Sequence, residues 1–201
     1  MTHSRRKSGI NLGPNDALVI VDVQNDFLPG GALAVPRGDE VAPVLNHYIY
    51  RFQSRALPIY ATRDWHPDHH CSFKEQGGPW PPHCMAGTRG AGFARELDLP
   101  EKTLIISKAT AQDKDAYSGF EGTDLGERLR RQNITRIFVG GLATDYCVLN
   151  TVKDAIKLGF TVMLLKDAIR AVDVTPGDGE KARQEMHRLG AQAITLEMLA
   201  A

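Results

Sequence analysis

The sequence predicts a single three-layer α/β/α domain built on a mainly parallel, six-stranded sheet. Predicted strands and helices alternate along the chain, and the longest apolar segments lack the polar alternation of strands that face water. A chain of 201 residues can also bury one substantial core. We therefore expect one domain over residues 15–201, preceded by a flexible, basic N-terminal tail over residues 1–14.

The elements follow from local patterns along the chain. Apolar runs predict six strands, at residues 17–23, 57–62, 103–108, 136–139, 160–168 and 191–196. Apolar residues three and four positions apart predict helices at residues 41–52, 147–158 and 179–190. Asp124 and Glu127 resemble a capping box and predict a short helix over residues 124–132, whereas residues 66–102 are irregular and rich in Pro, Gly and His.

The composition excludes several functional classes. The 24 basic and 24 acidic residues cancel, which removes the electrostatic basis for a nucleic-acid partner or an anionic membrane surface. Three cysteines, Cys71, Cys84 and Cys147, are too few for a disulfide framework. No apolar run has the length of a transmembrane helix, and the first residues lack the apolar stretch of a signal peptide, so we expect a cytoplasmic protein.

Cys147 is the strongest single candidate for chemistry. The segment FVGGLATDYC runs from a predicted strand through a Gly-Gly pair and a polar turn to this cysteine, in the first turn of a helix. A helix N-terminus stabilises a thiolate, so we expect the pKa of this thiol to be lowered. The same arrangement places backbone N–H donors beside the nucleophile. An inert, buried thiol fits this spacing equally well.

Two charged residues close predicted strands that are otherwise apolar. Asp22 closes the first strand and Lys108 closes the third, and both reach the carboxyl edge of the sheet, where Cys147 also lies. A buried carboxylate has a raised pKa and can accept a proton from a thiol, and a nearby ammonium can support both. The alternative is an ion pair that only neutralises itself.

Asp64, His66 and His83 form a candidate metal site. In extended chain, residues two apart point the same way, so Asp64 and His66 can reach one ion, and His83 would return from the loop. His69, His70 and Cys71 are further possible ligands that spacing alone does not rank. Three protein ligands would leave coordination positions open, and oxygen and nitrogen donors suit Zn, Fe or Mn.

Aromatic residues fall in loops at the same edge of the sheet. Phe27, Trp80 and Tyr117 can form walls for a flat apolar ligand. Trp80 lies between two Pro-containing pairs and is therefore held rigidly. A tryptophan that only covers the edge of the core is the alternative reading of the same position.

Four motifs in the same order resemble the nicotinamidase branch of the isochorismatase-like cysteine hydrolase superfamily, from Asn15 to near the end of the chain. They are VDVQNDFLPGGAL from residue 21, DWHPDHHCSF from 64 with WPPHC from 80, KATAQDKDAYSGF from 108 and GLATDYCV from 141. Each motif is modest evidence alone, whereas four in sequence are specific. The resemblance implies the α/β fold predicted above.

The resemblance also implies roles for individual residues. It implies a catalytic triad of Asp22, Lys108 and Cys147, and metal ligands Asp64, His66 and His83, with His70 as a possible fourth. It implies a cis peptide between Leu142 and Ala143, and an oxyanion hole formed by the amides of Ala143 and Cys147. It implies a substrate site formed by Phe27, Leu33, Trp80 and Tyr117.

The activity that the resemblance implies is hydrolysis of nicotinamide, and also of pyrazinamide, through a cysteine thioester, as a step of NAD salvage. The implied cofactor is one divalent transition metal ion, with zinc first and Fe or Mn as alternatives. The implied partner is the small-molecule substrate, and a homo-oligomer is compatible with the sequence. Two rivals stay open: an amidase for a carbamoyl or ureido acid, and a non-catalytic thiol or metal-binding protein.

Overall fold

The sheet at the centre of the protein has six parallel strands, seen in a computed structural model that describes residues 9–200. The strands are β1 Asp16–Val21, β2 Ile59–Asp64, β3 Leu104–Lys108, β4 Arg136–Leu142, β5 Thr161–Arg170 and β6 Gln192–Ile194. Their order across the sheet is β3-β2-β1-β4-β5-β6, with parallel pairing at every step. The predicted fold class, with its mainly parallel six-stranded sheet, is confirmed.

Helices cover both faces of this sheet. They are α1 Val41–Gln53, α2 Leu125–Arg131, α3 Leu149–Lys157 and α4 Asp178–Arg188. The buried stripe of α1, which includes Leu45, Tyr48 and Phe52, packs into the core on one face, and the other three helices share the core on the opposite face. No helix within residues 9–200 has the length and apolar character that a membrane span needs.

The strand order contains a switch point between β1 and β4. From β1 the chain builds the sheet outward through β2 and β3, and from β4 it builds in the opposite direction. The loops after β1 and β4 therefore diverge and leave a crevice at the carboxyl ends of the two strands. Asp22 follows β1 directly, and the segment that carries Cys147 follows β4.

Strand β4 is longer than the sequence predicted because it continues through two glycines. Gly140 pairs with Ile20 and Gly141 with Val21, so the strand runs to Leu142 instead of ending at Val139. Gly141 has φ +122, and a Cβ there would collide with the backbone of Val21. Glycine at position 141 is therefore required for β4 to pair with β1 as far as the edge of the site.

Part of the predicted N-terminal tail contacts the C-terminal segment. The backbone of Ile10 accepts a hydrogen bond from Ala200 at 2.9 Å and donates one to Met198 at 2.7 Å, so this part of the predicted tail is paired with the C-terminal segment. The rest of the predicted tail, residues 1–8, lies outside the described residues.

Helix α2 has the expected position but not the expected cap. The Asp124 side chain makes no capping hydrogen bond, so the predicted capping box is wrong. Its carboxylate instead forms an ion pair with Arg128, one turn along, at 2.8 Å. A charged partner at this spacing competes with the backbone amides for the same carboxylate.

Candidate active site

The site lies in the crevice between β1 and β4, where the ends of four strands supply one side chain each. Asp22 follows β1, Asp64 ends β2, Lys108 ends β3, and Cys147 follows β4. All four side chains are buried. The structure therefore brings together the four polar residues that the sequence placed at this edge of the sheet.

Cys147 lies in a wide helical turn, Thr144–Val148, that precedes α3. The turn is wide because the amide of Val148 donates to the carbonyl of Ala143, five residues earlier, at 3.1 Å. The sequence predicted a regular first turn of an α-helix at this point. The wider turn follows the cis peptide between Leu142 and Ala143, which the resemblance implied and the structure contains.

The thiol, the ammonium and the carboxylate of the expected triad are adjacent. Lys108 Nζ lies 2.9 Å from Asp22 Oδ2 and 3.5 Å from Cys147 Sγ. A carboxylate oxygen of Asp22 and the sulfur of Cys147 lie within 4.8 Å of each other. This distance permits proton transfer after a small movement of either side chain.

The pKa shifts of these side chains indicate that the Cys147 thiol is protonated and lies beside the carboxyl group of Asp22, the candidate base. Burial raises the pKa of Cys147 well above its usual value, which corrects the lowered pKa expected from the helix N-terminus. Burial also raises the pKa of Asp22, against the opposing effect of Lys108. Burial would lower the pKa of Lys108, but Asp22 and Asp64 raise it well above its usual value, so the ammonium stays charged. A buried thiol of this kind needs a base before it can attack.

Asp64, His66 and His83 together fit a metal ion. Their ligand atoms lie within 4.8 Å of one another, and all three residues are buried. The Nδ1 atoms face backbone carbonyls, at 3.3 Å from Ala109 for His66 and 2.8 Å from Pro81 for His83, so each Nδ1 carries the proton. This leaves both Nε2 atoms as acceptors, which is the form that binds metals.

His66 supplies the most direct sign of an ion at this place. Its Nε2 is buried and has no hydrogen-bond partner within residues 9–200. Burial lowers the pKa of His66 to about 3, so the ring is neutral near pH 7 and its lone pair is available. A buried nitrogen without a partner is costly unless something occupies its lone pair, and a divalent ion would do so.

His70 is close to this group without belonging to it. Its ring stacks on His66 with centroids 4.2 Å apart. Its Nε2 faces the carbonyl of Lys114 at 3.2 Å and its Nδ1 faces the Ser72 hydroxyl at 2.8 Å. Because a carbonyl only accepts, Nε2 carries the proton in this arrangement, and His70 lies outside the group of three candidate ligands, so a fourth ligand at His70 stays a prediction. His69 and Cys71 are also outside the three-residue group.

A second group of possible ligands is not a metal site. Asp22, Asp64 and Cys147 also lie within 4.8 Å of one another. The ammonium of Lys108 contacts all three of these side chains, including a short ion pair with Asp64. The ammonium occupies the position that a metal cation would need in this second group. Lys108 therefore supplies the positive charge here, and the metal ion is expected only at Asp64, His66 and His83.

A pocket of about 430 Å³ lies beside these residues, and this volume includes solvent space at its open side. All four residues expected at the substrate site line it, and so does Tyr146, which the sequence reasoning missed; the expected four are Phe27, Leu33, Trp80 and Tyr117. The indole Nε1 of Trp80 donates to the Tyr117 hydroxyl at 2.9 Å. Tyr146 meets Trp80 edge to face at 5.0 Å, which makes a wall of three aromatic rings.

Ala143 and Cys147, the expected oxyanion-hole residues, also line this pocket. Their position beside the thiol is compatible with that role, which stays a prediction. Cys147, the three residues of the metal group and all four residues of the expected substrate site thus line one pocket. Asp22 and Lys108 do not line it, but Lys108 contacts Cys147 and Asp64, which do.

Two buried polar residues at the site were not identified from the sequence. Gln24 donates from its side-chain amide to the carbonyls of Asp64 at 2.8 Å and Ala91 at 2.9 Å, and accepts from the Asp64 amide at 2.8 Å. Thr62 donates from its hydroxyl to Asp22 at 2.6 Å. The available signal was a polar residue at the end of a buried, apolar strand, the same signal that identified Asp22.

Comparison with known proteins gives consistent matches over the whole domain. The isochorismatase domain model matches residues 16–198. The nicotinamidase of Escherichia coli (strain K12) is 39% identical over 91% of this chain and 96% of its own.

Solved structures give the same result. The pyrazinamidase of Pyrococcus horikoshii in complex with zinc has a TM-score of 0.87 and 51% identity, over 91% of this chain and 100% of its own. The L. infantum protein PnC1 in complex with nicotinate has a TM-score of 0.89 and 36% identity, over 96% of this chain and 99% of its own. This chain is a member of the isochorismatase domain family.

Proposed function

We propose that this protein is an amide hydrolase that converts nicotinamide to nicotinic acid and ammonia, and that it also accepts pyrazinamide. One observation carries the proposal: a thiol, a carboxylate and an ammonium meet at an aromatic pocket, beside a three-residue metal group. The similarity to nicotinamidases and pyrazinamidases supports this choice of substrate. NAD salvage is the process that such an activity serves.

The residues that line the pocket have the chemistry to bind a single heteroaromatic ring. The aromatic walls of Phe27, Trp80 and Tyr117 suit a flat ring, and Leu33 adds an apolar contact. The ring nitrogen of nicotinamide would point to the metal group, which places the carboxamide near Cys147. Pyrazinamide has a nitrogen at the equivalent position and therefore fits the same orientation.

Asp64, His66 and His83 would hold the metal ion, with zinc as our first candidate and Fe or Mn as alternatives. When bound, a divalent ion supplies a Lewis-acidic centre that attracts the lone pair of a ring nitrogen. The aromatic side chains of the pocket also orient the substrate, because they restrict the plane in which its ring can lie.

The first half of the reaction forms a thioester. Asp22 accepts the proton of the Cys147 thiol, and the sulfur attacks the carboxamide carbon. The carbonyl electrons move to oxygen, where the amides of Ala143 and Cys147 would stabilise the negative charge. Removing one donor from comparable sites slows turnover about a hundredfold or more. Asp22 then gives its proton to the departing nitrogen, which leaves as ammonia when the C–N bond breaks.

The second half releases the acid. Asp22 accepts a proton from water, whose oxygen attacks the thioester carbon. The C–S bond breaks, nicotinic acid leaves, and the proton returns to the sulfur of Cys147. Lys108 keeps its charge throughout and stabilises the carboxylate and the transient thiolate.

Ammonia release from nicotinamide tests this function. We expect turnover by the parent and by Cys71→Ala, and no turnover above background by Cys147→Ala. Cys71 is a matched control because it is a free cysteine outside the group of catalytic side chains. Turnover of nicotinamide by Cys147→Ala would contradict the thiol mechanism.

The same assay separates the rival functions. An amidase for carbamoyl or ureido acids would release ammonia from those compounds and not from nicotinamide. A non-catalytic protein would release ammonia from neither. The aromatic pocket beside the metal group favours nicotinamide, because an acyclic ureido acid has neither a ring nor a ring nitrogen. The cytoplasmic location, the domain boundary at residue 15 and the oligomeric state stay predictions.

A further inference from the structure

Thr62 contacts Asp22 at two points, one on the carboxylate and one on the backbone. The Thr62 hydroxyl donates to Asp22 Oδ1 at 2.6 Å, and the Thr62 carbonyl accepts from the Asp22 amide at 3.2 Å. Both residues are completely buried. The backbone bond continues the pairing of β1 with β2, whereas the hydroxyl bond has no part in that pairing.

The hydroxyl bond makes the two oxygens of Asp22 unequal. Oδ1 accepts from Thr62, while Oδ2 lies 2.9 Å from the Lys108 ammonium in an ion pair. The same ammonium lies 3.5 Å from Cys147 Sγ, so the ammonium contacts both Oδ2 and the thiol. We therefore take Oδ2 as the oxygen that accepts the thiol proton.

The Thr62 side chain is itself held in one orientation. It is β-branched, on a strand inside the sheet, which restricts rotation about its first side-chain bond. Its methyl group packs closely on Gly119, where an added Cβ would lie 2.8 Å from the methyl carbon. With the methyl group fixed on this side, the hydroxyl is directed toward Asp22.

We propose that Thr62 is a positioning residue for the proton transfer, an inference that rests on the proposed function. By donating to Oδ1 it fixes the rotation of the carboxylate, so that Oδ2 takes the thiol proton and later returns it to the leaving nitrogen. Thr62 itself transfers no proton and touches no substrate. Without its hydroxyl, the carboxylate can turn toward Lys108 with either oxygen, and fewer orientations lead to transfer.

Three variants test the orientation by steady-state kinetics with nicotinamide. Thr62→Val keeps the shape and removes the hydroxyl, and we expect kcat to fall about tenfold or more while KM changes by less than about twofold. Thr62→Ser restores the donor, and we expect kcat to recover to within about threefold of the parent. Thr103→Val is the control for loss of a threonine hydroxyl, because the buried Thr103 hydroxyl has no hydrogen-bond partner within the described residues and Thr103 does not line the pocket of the site.

Alkylation of Cys147 by iodoacetamide gives a second readout that needs no amide substrate. We expect slower alkylation in Thr62→Val than in the parent, and near-parental rates in Thr62→Ser and Thr103→Val. Peptide mapping assigns the label to Cys147, and circular dichroism confirms the fold of each variant. If Thr62→Val does not fold, Thr62→Ala replaces it, with the same expected results.

The two readouts distinguish failure of this inference from failure of the proposed function. A parent that does not hydrolyse nicotinamide refutes the function, and slower alkylation in Thr62→Val would then still support the positioning role at the thiol. A folded Thr62→Val with parental kcat, or with alkylation as fast as or faster than the parent, overturns the inference. Equal losses in Thr62→Val and Thr103→Val overturn it as well, because they indicate a general effect of removing a threonine hydroxyl.

Discussion

The ammonium of Lys108 lies 2.9 Å from the carboxylate of Asp22, and both side chains are fully excluded from solvent. Lys108 forms a second buried ion pair with Asp64, the residue that ends the neighbouring strand. One cation thus connects the candidate base with a candidate metal ligand. Its position makes Lys108 part of both the stability and the chemistry of the site.

Replacing Lys108 by methionine should destabilise the protein by about 3 kcal/mol or more, because two buried carboxylates lose their counter-charge. The exposed Lys157 on α3 is the matched control, and Lys157→Met should change the free energy of unfolding by less than about 0.5 kcal/mol. Urea unfolding at pH 7 measures both values. Equal stability of Lys108→Met and the parent would show that the pair contributes nothing net.

His66 and Asp22 should affect different kinetic constants. His66→Ala removes a proposed metal ligand and should raise KM for nicotinamide more than Asp22→Ala does. Asp22→Ala removes the proposed base and should chiefly lower kcat, by about a hundredfold or more. Steady-state kinetics with added zinc measure kcat and KM separately for the two variants. A large change in kcat for His66→Ala with an unchanged KM would contradict the assignment of the two roles.

The hydrogen bond between Trp80 and Tyr117 should contribute to substrate binding. Tyr117→Phe keeps the ring and loses the acceptor of the 2.9 Å bond, so we expect KM to rise about threefold with little change in kcat. Trp80→Ala removes a whole wall of the pocket and should raise KM by about tenfold or more. Parental KM in both variants would show that the substrate does not contact this wall.

The metal-free protein should lose stability in acid through His66. Burial lowers the pKa of His66 to about 3 from the usual 6.5, so protonation favours the unfolded chain. The stabilising contribution is complete above pH 6.5 and is lost as the pH falls toward 3, at up to about 1.4 kcal/mol per pH unit. Urea unfolding of chelator-treated protein between pH 7 and 4.5 measures this slope. His66→Phe should have a smaller slope, and equal slopes would contradict the prediction.

Most of the fold and the site could be predicted because the signals were local. Three of the four strands that supply a site residue end in a charged residue or lead directly into one, at Asp22, Asp64 and Lys108, and parallel strands bring such ends to one edge. The extension of β4 through Gly140 and Gly141 could not be predicted, because glycine indicates a turn unless a neighbouring backbone requires it.

The parts that were missed depend on contacts between distant segments. Thr62 is 40 residues from Asp22 in sequence, and its role is visible only when the two strands pair. The pKa of Cys147 was expected to be lowered by its helix, but burial has the larger effect and raises it. The Asp124 carboxylate pairs with Arg128 and not with a backbone amide. Both partners are close in sequence, so the sequence alone does not indicate which of them the carboxylate binds.

The central claim is that the sulfur of Cys147 becomes covalently bonded to the acyl group of the substrate. Mass spectrometry of the protein after acid quenching during turnover of nicotinamide tests it most directly. We predict one nicotinoyl group on the peptide that contains Cys147, released by hydroxylamine and absent from Cys147→Ala. A nicotinoyl group on a different residue, or full turnover by Cys147→Ala, would contradict the account.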